Sequence, residues 1–142
     1  MIQIRPWLYQ GKYTHTKNPG LLKEKGVEAI LTFAESVKYP NIEVKFISFD
    51  DGYAVPEKIL LEGVNFILEH REKPILVACG AGISRSSSFV CAALHELENK
   101  PLSQCLRELK DLKRDVLPHP YLWRSICEYY SEPYNQSELF SR

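Results

Sequence analysis

The sequence has no excess of charge of either sign. Lysine and arginine total 18, and so do aspartate and glutamate, so the formal net charge is zero at neutral pH. Proteins that bind nucleic acid or an acidic membrane surface usually carry a basic excess. We therefore expect neither a nucleic-acid nor a membrane partner, although a local basic pocket remains compatible with the balance.

Long apolar runs are also lacking. The longest uncharged apolar stretch, from Ile75 to Ile83, contains two glycines and is far shorter than the ~20 residues of a membrane-spanning helix. The first residues lack the apolar core and cleavage site of a secretory signal peptide. The sequence therefore predicts neither a membrane span nor secretion.

Paired cysteines are absent as well. The four cysteines, at positions 79, 91, 105 and 127, form no C-x-x-C pair, and no histidine lies at zinc-finger spacing from them. This excludes the usual zinc modules and a disulfide framework. We expect free thiols in the reducing cytoplasm, with no metal and no cofactor.

No linker, repeat or low-complexity tract divides the 142 residues, which is about the length of one ordinary domain. We therefore expect residues 1–142 to form a single domain and to act as a monomer.

The hydrophobic pattern alternates between the two types of secondary structure. Strands are predicted over residues 2–5, 7–11, 28–33, 43–49 and 74–78. One short helix is predicted from Asn18-Pro19 to about Gly26, a longer one from Pro56, and three more after the buried run at 74–78. This order predicts an α/β domain with a central, mostly parallel sheet flanked by helices.

A cysteine, Cys79, follows the buried strand and is followed by small residues and an arginine. The intervening positions are Gly80, Ala81, Gly82, Ile83 and Ser84, and Arg85 comes next. Backbone N–H groups of such a loop, together with a helix N-terminus, form an anion site and favour the cysteine thiolate. Arg85 adds a planar donor that matches two phosphate oxygens. The loop thus combines a nucleophile with an oxyanion-binding group.

The alternative interpretation treats Cys79 as a small buried hydrophobic residue at a strand end. The functional interpretation is favoured by the combination of Cys–Arg spacing, strand–loop–helix context and three serines, at 86 to 88, that enter the helix.

The loop resembles the C-x5-R signature of the cysteine-dependent protein tyrosine phosphatases. Its run Ala81-Gly82-x-Ser84-Arg85-Ser86 is similar to the A-G-x-S-R-S form of the dual-specificity phosphatases. The segment Trp7-Leu8-Tyr9-x-Gly11, the stretch 22–30 and the Asp51 region are similar to that family's layout too, so the resemblance covers nearly the whole chain. It implies a phosphatase fold whose residues 80–85 bind phosphate and whose Cys79 forms a phosphocysteine.

Phosphate-ester cleavage needs a proton donor for the leaving oxygen. Asp50 and Asp51 follow the strand predicted at 43–49, where the resemblance places the general acid. The family's pattern, an isoleucine followed four positions later by an aspartate, implies Asp51 when counted from Ile47. Asp50 remains the alternative and is otherwise a turn or helix cap.

Two serines of the loop receive different roles. By resemblance, Ser86 hydrogen-bonds the nucleophilic sulfur and assists its departure from phosphorus. Ser84 is expected to cap the following helix and to support the loop.

The chain departs from the family at Ala78, because most of these phosphatases have histidine before the cysteine. We expect activity to survive, with the thiolate forming at a somewhat higher pH. The departure leaves a second hypothesis, a pseudophosphatase that binds phosphoproteins without cleaving them. Retention of Cys79, Arg85, Ser86 and Asp51 counts against it.

The resemblance also bears on the substrate. No lysine lies between Cys79 and Arg85, which favours a phosphorylated protein or peptide over an inositol lipid. The short region between Gly11 and Pro40 implies a shallow pocket that accepts phosphotyrosine and, less well, phosphoserine or phosphothreonine. A rhodanese-like or arsenate-reducing thiol enzyme is a third hypothesis, and it would not need Asp51.

Overall fold

The computed structural model describes residues 1–141; Arg142, the last residue of the expected domain, lies outside the described residues. A five-stranded sheet has the order β1-β2-β5-β3-β4. Its strands are β1 (Ile2–Arg5), β2 (Leu8–Lys12), β3 (Ala29–Thr32), β4 (Glu43–Phe46) and β5 (Ile75–Cys79). β1 pairs antiparallel with β2, and the other neighbours pair in parallel. The predicted α/β architecture with a mostly parallel sheet is confirmed.

Helices flank both faces of this sheet. They are α1 (Tyr13–Thr16), α2 (Pro19–Glu24), α3 (Glu57–Glu69), α4 (Arg85–Glu98), α5 (Leu102–Leu112), α6 (Pro120–Tyr129) and α7 (Gln136–Phe140). Helix α2 begins with Pro19 after Asn18, whose side chain accepts a hydrogen bond from the Leu21 N–H. Proline in the first turn and asparagine at the N-cap are a strong helix-start signal, so this helix could be predicted from the sequence.

The central strand β5 positions the cysteine. All five residues of β5 are buried, and the strand lies between β2 and β3, which run in the same direction. Because parallel strands end at the same edge of a sheet, the carboxyl ends of β2, β3 and β5 meet there. Cys79 ends β5 at this edge, and α4 begins at Arg85.

The two faces of β5 belong to different hydrophobic clusters. Val77 and Cys79 join the large cluster packed against α3, α4, α5 and α6. Leu76 and Ala78 join a smaller cluster that includes Leu22 of α2. Successive strand residues point to opposite faces, so Cys79 faces α4 and Ala78 faces the other side of the sheet.

A close helix–helix contact fixes α4 against α3. A Cβ at Gly63 of α3 would lie 2.5 Å from ring carbons of Phe89 in α4, so only glycine allows this approach. The Phe89 ring in turn packs against Phe33, just after β3, with the ring centroids 4.5 Å apart. The start of α4 is therefore held between α3 and the sheet.

The structure differs most from the sequence prediction at the end of β4 and at two short helices. Strand β4 ends at Phe46, whereas the sequence predicted it to Phe49. β4 is an edge strand, and the Phe49 carbonyl accepts a hydrogen bond from Arg85 instead of continuing the sheet. The short helices α1 and α7 were not predicted, because four or five residues carry too little periodicity.

Candidate active site

Cys79 lies at the bottom of the loop that joins β5 to α4. It is 2% exposed, and its sulfur lies 3.2 Å from Oγ of Ser86 in the first turn of α4. The thiol donates to the hydroxyl in this bond, and the hydroxyl donates when the sulfur is ionised. The structure thus brings together the predicted nucleophile and the serine assigned to its sulfur.

Residues 80–84 form a tight turn against β2. Gly82 has a φ of 74°, in the left-handed region, and a Cβ there would lie 3.0 Å from the backbone of Gly11. Glycine is therefore needed at position 82 both for its conformation and for the space. Gly80 lies at the other end of the turn, where a Cβ would be 3.5 Å from Nη2 of Arg85.

The guanidinium of Arg85 is held by two backbone carbonyls. Its Nη1 donates to the carbonyl of Phe33 at 3.0 Å and to that of Phe49 at 2.6 Å. Both carbonyls follow the carboxyl ends of strands, β3 and β4 respectively. Within residues 1–141, Nε and Nη2 make no hydrogen bond, so these donors are available to an oxyanion beside Gly80.

Asp51 lies beside the loop through a contact with Ser84. The Ser84 hydroxyl donates to Oδ1 of Asp51 at 2.6 Å and accepts the backbone N–H of His119 at 2.9 Å. Asp51 itself is exposed, as is Asp50. The spacing argument for Asp51 is matched by a direct link between its carboxyl group and the loop.

The expected capping role of Ser84 was wrong. Ser84 occupies the N-cap position of α4, but its side chain makes no capping hydrogen bond. Its hydroxyl contacts the Asp51 loop and the segment before α6 instead. Sequence reasoning missed this bridge because its two partners lie 33 and 35 residues away.

Sequence reasoning also missed Gln10 of β2. This side chain is 1% exposed, and its Nε2 donates to the Gly82 carbonyl and to Oγ of Ser87. The available signal was an amide within the apolar stretch that begins at Trp7. Ser87, expected to be a simple helix-entry residue, connects Gln10 to the loop by donating to the Ile83 carbonyl at 3.0 Å.

The other three cysteines are placed in a different environment. Cys91, Cys105 and Cys127 are buried between the helices. Burial raises the pKa of Cys105 to about 11 and that of Cys127 to about 12, and it raises the pKa of Cys91 well above the ordinary value. These thiols are protonated and unreactive at neutral pH.

Neither a metal cluster nor a membrane span accompanies these residues in the part of the chain that the structure describes. No three histidine, cysteine, aspartate or glutamate side chains within residues 1–141 are grouped to hold a metal ion. No helix in this range is long and apolar enough to cross a bilayer.

Comparison with known proteins identifies relatives over most of the chain. Residues 8–132 match the family "Dual specificity phosphatase, catalytic domain". The chain is 30% identical to human dual specificity protein phosphatase 12 over 126 residues, which are 82% of this chain and 37% of that protein. The chain therefore spans little more than a third of that relative's length.

Solved structures share the fold. The crystal structure of DUSP15 superimposes with a TM-score of 0.84 at 26% identity, covering 99% of this chain and 92% of that one. The human tyrosine phosphatase-like serine/threonine/tyrosine-interacting protein gives a TM-score of 0.81 at 19% identity, covering 91% and 94%. The second likeness concerns the fold alone.

Proposed function

Because the chain belongs to the dual specificity phosphatase catalytic domain family, we propose that it hydrolyses phosphate monoesters of proteins through a phosphocysteine intermediate. The observation that carries this proposal is one constellation at the sheet edge. The Cys79 sulfur is 3.2 Å from the Ser86 hydroxyl, and Ser84 ties the Asp51 carboxyl group to the same loop at 2.6 Å. A nucleophile, a hydroxyl partner and a proton donor thus meet around one anion-binding turn.

In the first step the Cys79 thiolate attacks phosphorus while the phosphoryl oxygens lie in the loop of residues 80–85. An S–P bond forms as the P–O bond to the substrate breaks. Nε and Nη2 of Arg85 bind the phosphoryl oxygens, since Nη1 is already bound to Phe33 and Phe49. Such preorganised donors stabilise charge as it develops in the transition state.

Asp51 supplies the proton that the leaving oxygen needs. Ser84 anchors Oδ1, so Oδ2 is left to carry the proton to the alkoxide or phenoxide. Positioned acid catalysis of this kind contributes about 10²–10⁴-fold to the rate. A module that only binds phosphate would need neither this carboxyl group nor its anchor, which favours turnover over binding.

In the second step water attacks the phosphocysteine. The S–P bond breaks, Asp51 accepts a proton from the water, and inorganic phosphate is released. The departing sulfur takes both electrons of the bond, and the Ser86 hydroxyl donates to the resulting thiolate. The 3.2 Å contact supports this role for Ser86.

The substrate class that fits best is a phosphorylated protein. The positions between Cys79 and Arg85 carry no basic side chain that would meet the additional phosphates of an inositol lipid. We propose phosphotyrosine as the preferred residue, with slower cleavage of phosphoserine and phosphothreonine. The four free thiols are consistent with action in the reducing cytoplasm.

The decisive experiment is hydrolysis of p-nitrophenyl phosphate in the presence of EDTA. We expect turnover by the wild-type chain, none by Cys79→Ser, and wild-type turnover by Cys127→Ala as the matched control. Cys79→Ser should still bind tungstate, because the serine hydroxyl does not ionise near pH 7 whereas the loop and Arg85 remain. Undiminished turnover by Cys79→Ser would refute the mechanism, and dependence on an added metal ion would contradict it.

A further inference from the structure

A buried amide supports the anion-binding turn from β2. Gln10 is 1% exposed and lies on the face of β2 that meets α4. Its Nε2 donates to the Gly82 carbonyl at 3.2 Å and to Oγ of Ser87 at 2.7 Å. Burying an amide is unfavourable unless it is hydrogen-bonded. The two hydrogen bonds of Nε2 therefore connect the amide to the turn and to α4, the helix that follows it.

The other end of the same amide makes no contact. Oε1 of Gln10 is buried without a hydrogen-bond partner among residues 1–141. An apolar side chain of similar size would remove this unsatisfied acceptor. If position 10 served packing alone, an apolar residue would stabilise the fold more than glutamine. We therefore take the role of Gln10 to lie in the two hydrogen bonds that its Nε2 donates.

Gln10 controls the direction of one peptide group of the turn. The peptide bond is planar and trans, so its N–H points opposite to its C=O. Because the Gly82 carbonyl is held toward Gln10 of β2, the N–H of Ile83 is turned away from β2. The left-handed φ of Gly82 makes this peptide orientation possible.

A second peptide group is controlled through Ser87. The Ser87 hydroxyl accepts from Gln10 and donates to the Ile83 carbonyl at 3.0 Å, which also accepts the Leu117 N–H at 2.8 Å. The N–H of Ser84, in the same peptide group as the Ile83 carbonyl, is thereby turned to the opposite side. Gln10 thus orients two successive N–H groups of the turn.

Within residues 1–141, no other side chain of the flanking strands β2, β3 and β5 hydrogen-bonds the turn of residues 80–84. Ala78 carries no polar group and faces the opposite side of the sheet. Gly11, the neighbour of Gln10, contacts the turn through its backbone alone.

We propose that Gln10 is a positioning residue for phosphate binding. Its amide orients the peptide groups at positions 82 to 84 so that their N–H groups face the anion. The inference rests on the proposed function for the identity of the anion, but its test requires only that the turn binds a tetrahedral oxyanion.

The experiment compares Gln10→Met with the wild-type chain. The probe is tungstate, and binding is measured as protection of Cys79 from alkylation by iodoacetamide. The raised pKa values of Cys91, Cys105 and Cys127 disfavour alkylation of these three thiols. We expect tungstate to bind about 5–30-fold more weakly, as for the loss of one or two hydrogen bonds that orient the site. The free energy of unfolding of Gln10→Met should stay equal or increase, because the unsatisfied Oε1 acceptor is removed.

A matched control and a second variant keep the result decisive. Thr16→Val removes a buried hydroxyl that donates to the Tyr13 carbonyl and not to any residue of the turn, and it should leave tungstate binding unchanged. Ser87→Ala deletes the relay without altering β2 and should weaken tungstate binding about 2–10-fold. This variant decides the question if Gln10→Met does not fold.

The two proposals fail in different ways. Wild-type tungstate affinity in folded Gln10→Met, or in Ser87→Ala when Gln10→Met is unfolded, would overturn the role of Gln10 even if the wild-type chain is an active phosphatase. A wild-type chain that binds tungstate without turnover would overturn the proposed function, and weaker binding by the variants would still support the positioning role.

Discussion

The contact between Ser84 and Asp51 predicts that the serine assists catalysis through the acid. Replacing Ser84 by alanine removes the hydroxyl that holds Oδ1 of Asp51 and that accepts the N–H of His119. Asp51 is protonated when it acts as the acid, so the lost bond joins two neutral groups. Such a bond contributes about 0.5–1.5 kcal/mol, which is about 2–13-fold in rate.

The assay is kcat/KM for a phosphotyrosine peptide, with an activated aryl phosphate as the comparison substrate. We expect Ser84→Ala to lose activity near the upper end of that range on the peptide and little on the aryl phosphate, whose phenol leaves without a proton. Asp51→Asn alone should lose about 10²–10⁴-fold on the peptide, and Asp50→Asn should lose far less. Tungstate affinity should be unaffected by Ser84→Ala.

The double variant separates this role from a general effect on the loop. Asparagine at position 51 cannot donate a proton to the leaving oxygen. Adding Ser84→Ala to Asp51→Asn should therefore lower kcat/KM almost no further. Ser88→Ala is the matched control, since its hydroxyl is buried in the same helix turn and donates only to the Ser84 carbonyl. The same loss from Ser84→Ala in both backgrounds would refute the link through Asp51.

Three further predictions concern stability. A hydrogen bond from Arg5 lowers the pKa of Glu98 to about 2. The Arg5–Glu98 ion pair therefore stabilises the fold above pH ~4.5, and this stabilisation is lost as the pH falls toward 2. The free energy of unfolding in urea should depend less on pH in that window for Glu98→Gln than for the wild-type chain. Gly63→Ala should lower the free energy of unfolding by about 0.5–2 kcal/mol in the same assay, because overpacking against Phe89 outweighs the gain in helix propensity. A stabilised variant would contradict the close approach of α3 and α4. Lys110 donates to the carbonyls of Glu138 and Leu139 in α7 and to that of Ser141 just after it. Lys110→Met should therefore speed hydrogen exchange and proteolysis of α7, and unchanged protection would contradict that anchoring.

The features that could be predicted from the sequence are those that local chemistry determines. The fully apolar run that became β5, the small residues after Cys79 and the proline-led start of α2 each carry their signal within a few positions. Asp51 could be selected because its spacing from Ile47 matches the pattern of the family that the chain resembles. The predicted catalytic roles of Cys79, Asp51 and Ser86 remain predictions until the variants are measured.

The features that could not be predicted depend on contacts between distant segments. Arg85 binds carbonyls 52 and 36 residues away, and a backbone carbonyl carries no sequence signal. The sequence neighbours of Ser84 predict a helix cap, whereas in the structure its hydroxyl donates to the carboxyl group of Asp51, 33 residues away. Gln10 acts on a glycine 72 residues away, so its task emerges only when β2 lies beside the turn.

The two carbonyl contacts of Arg85 make the anion site dependent on completed folding. Phe33 and Phe49 follow two different strands, and the guanidinium reaches both only when β3, β4 and β5 are assembled. Contacts of such large sequence separation are entropically costly in a disordered chain, because a long loop must close before they contribute any stabilisation. A nascent or partly unfolded chain therefore exposes Cys79 without the arginine geometry that phosphoryl transfer requires. On the proposed function, the anion site is complete only in the finished sheet, so phosphatase activity would report the native population rather than compact intermediates.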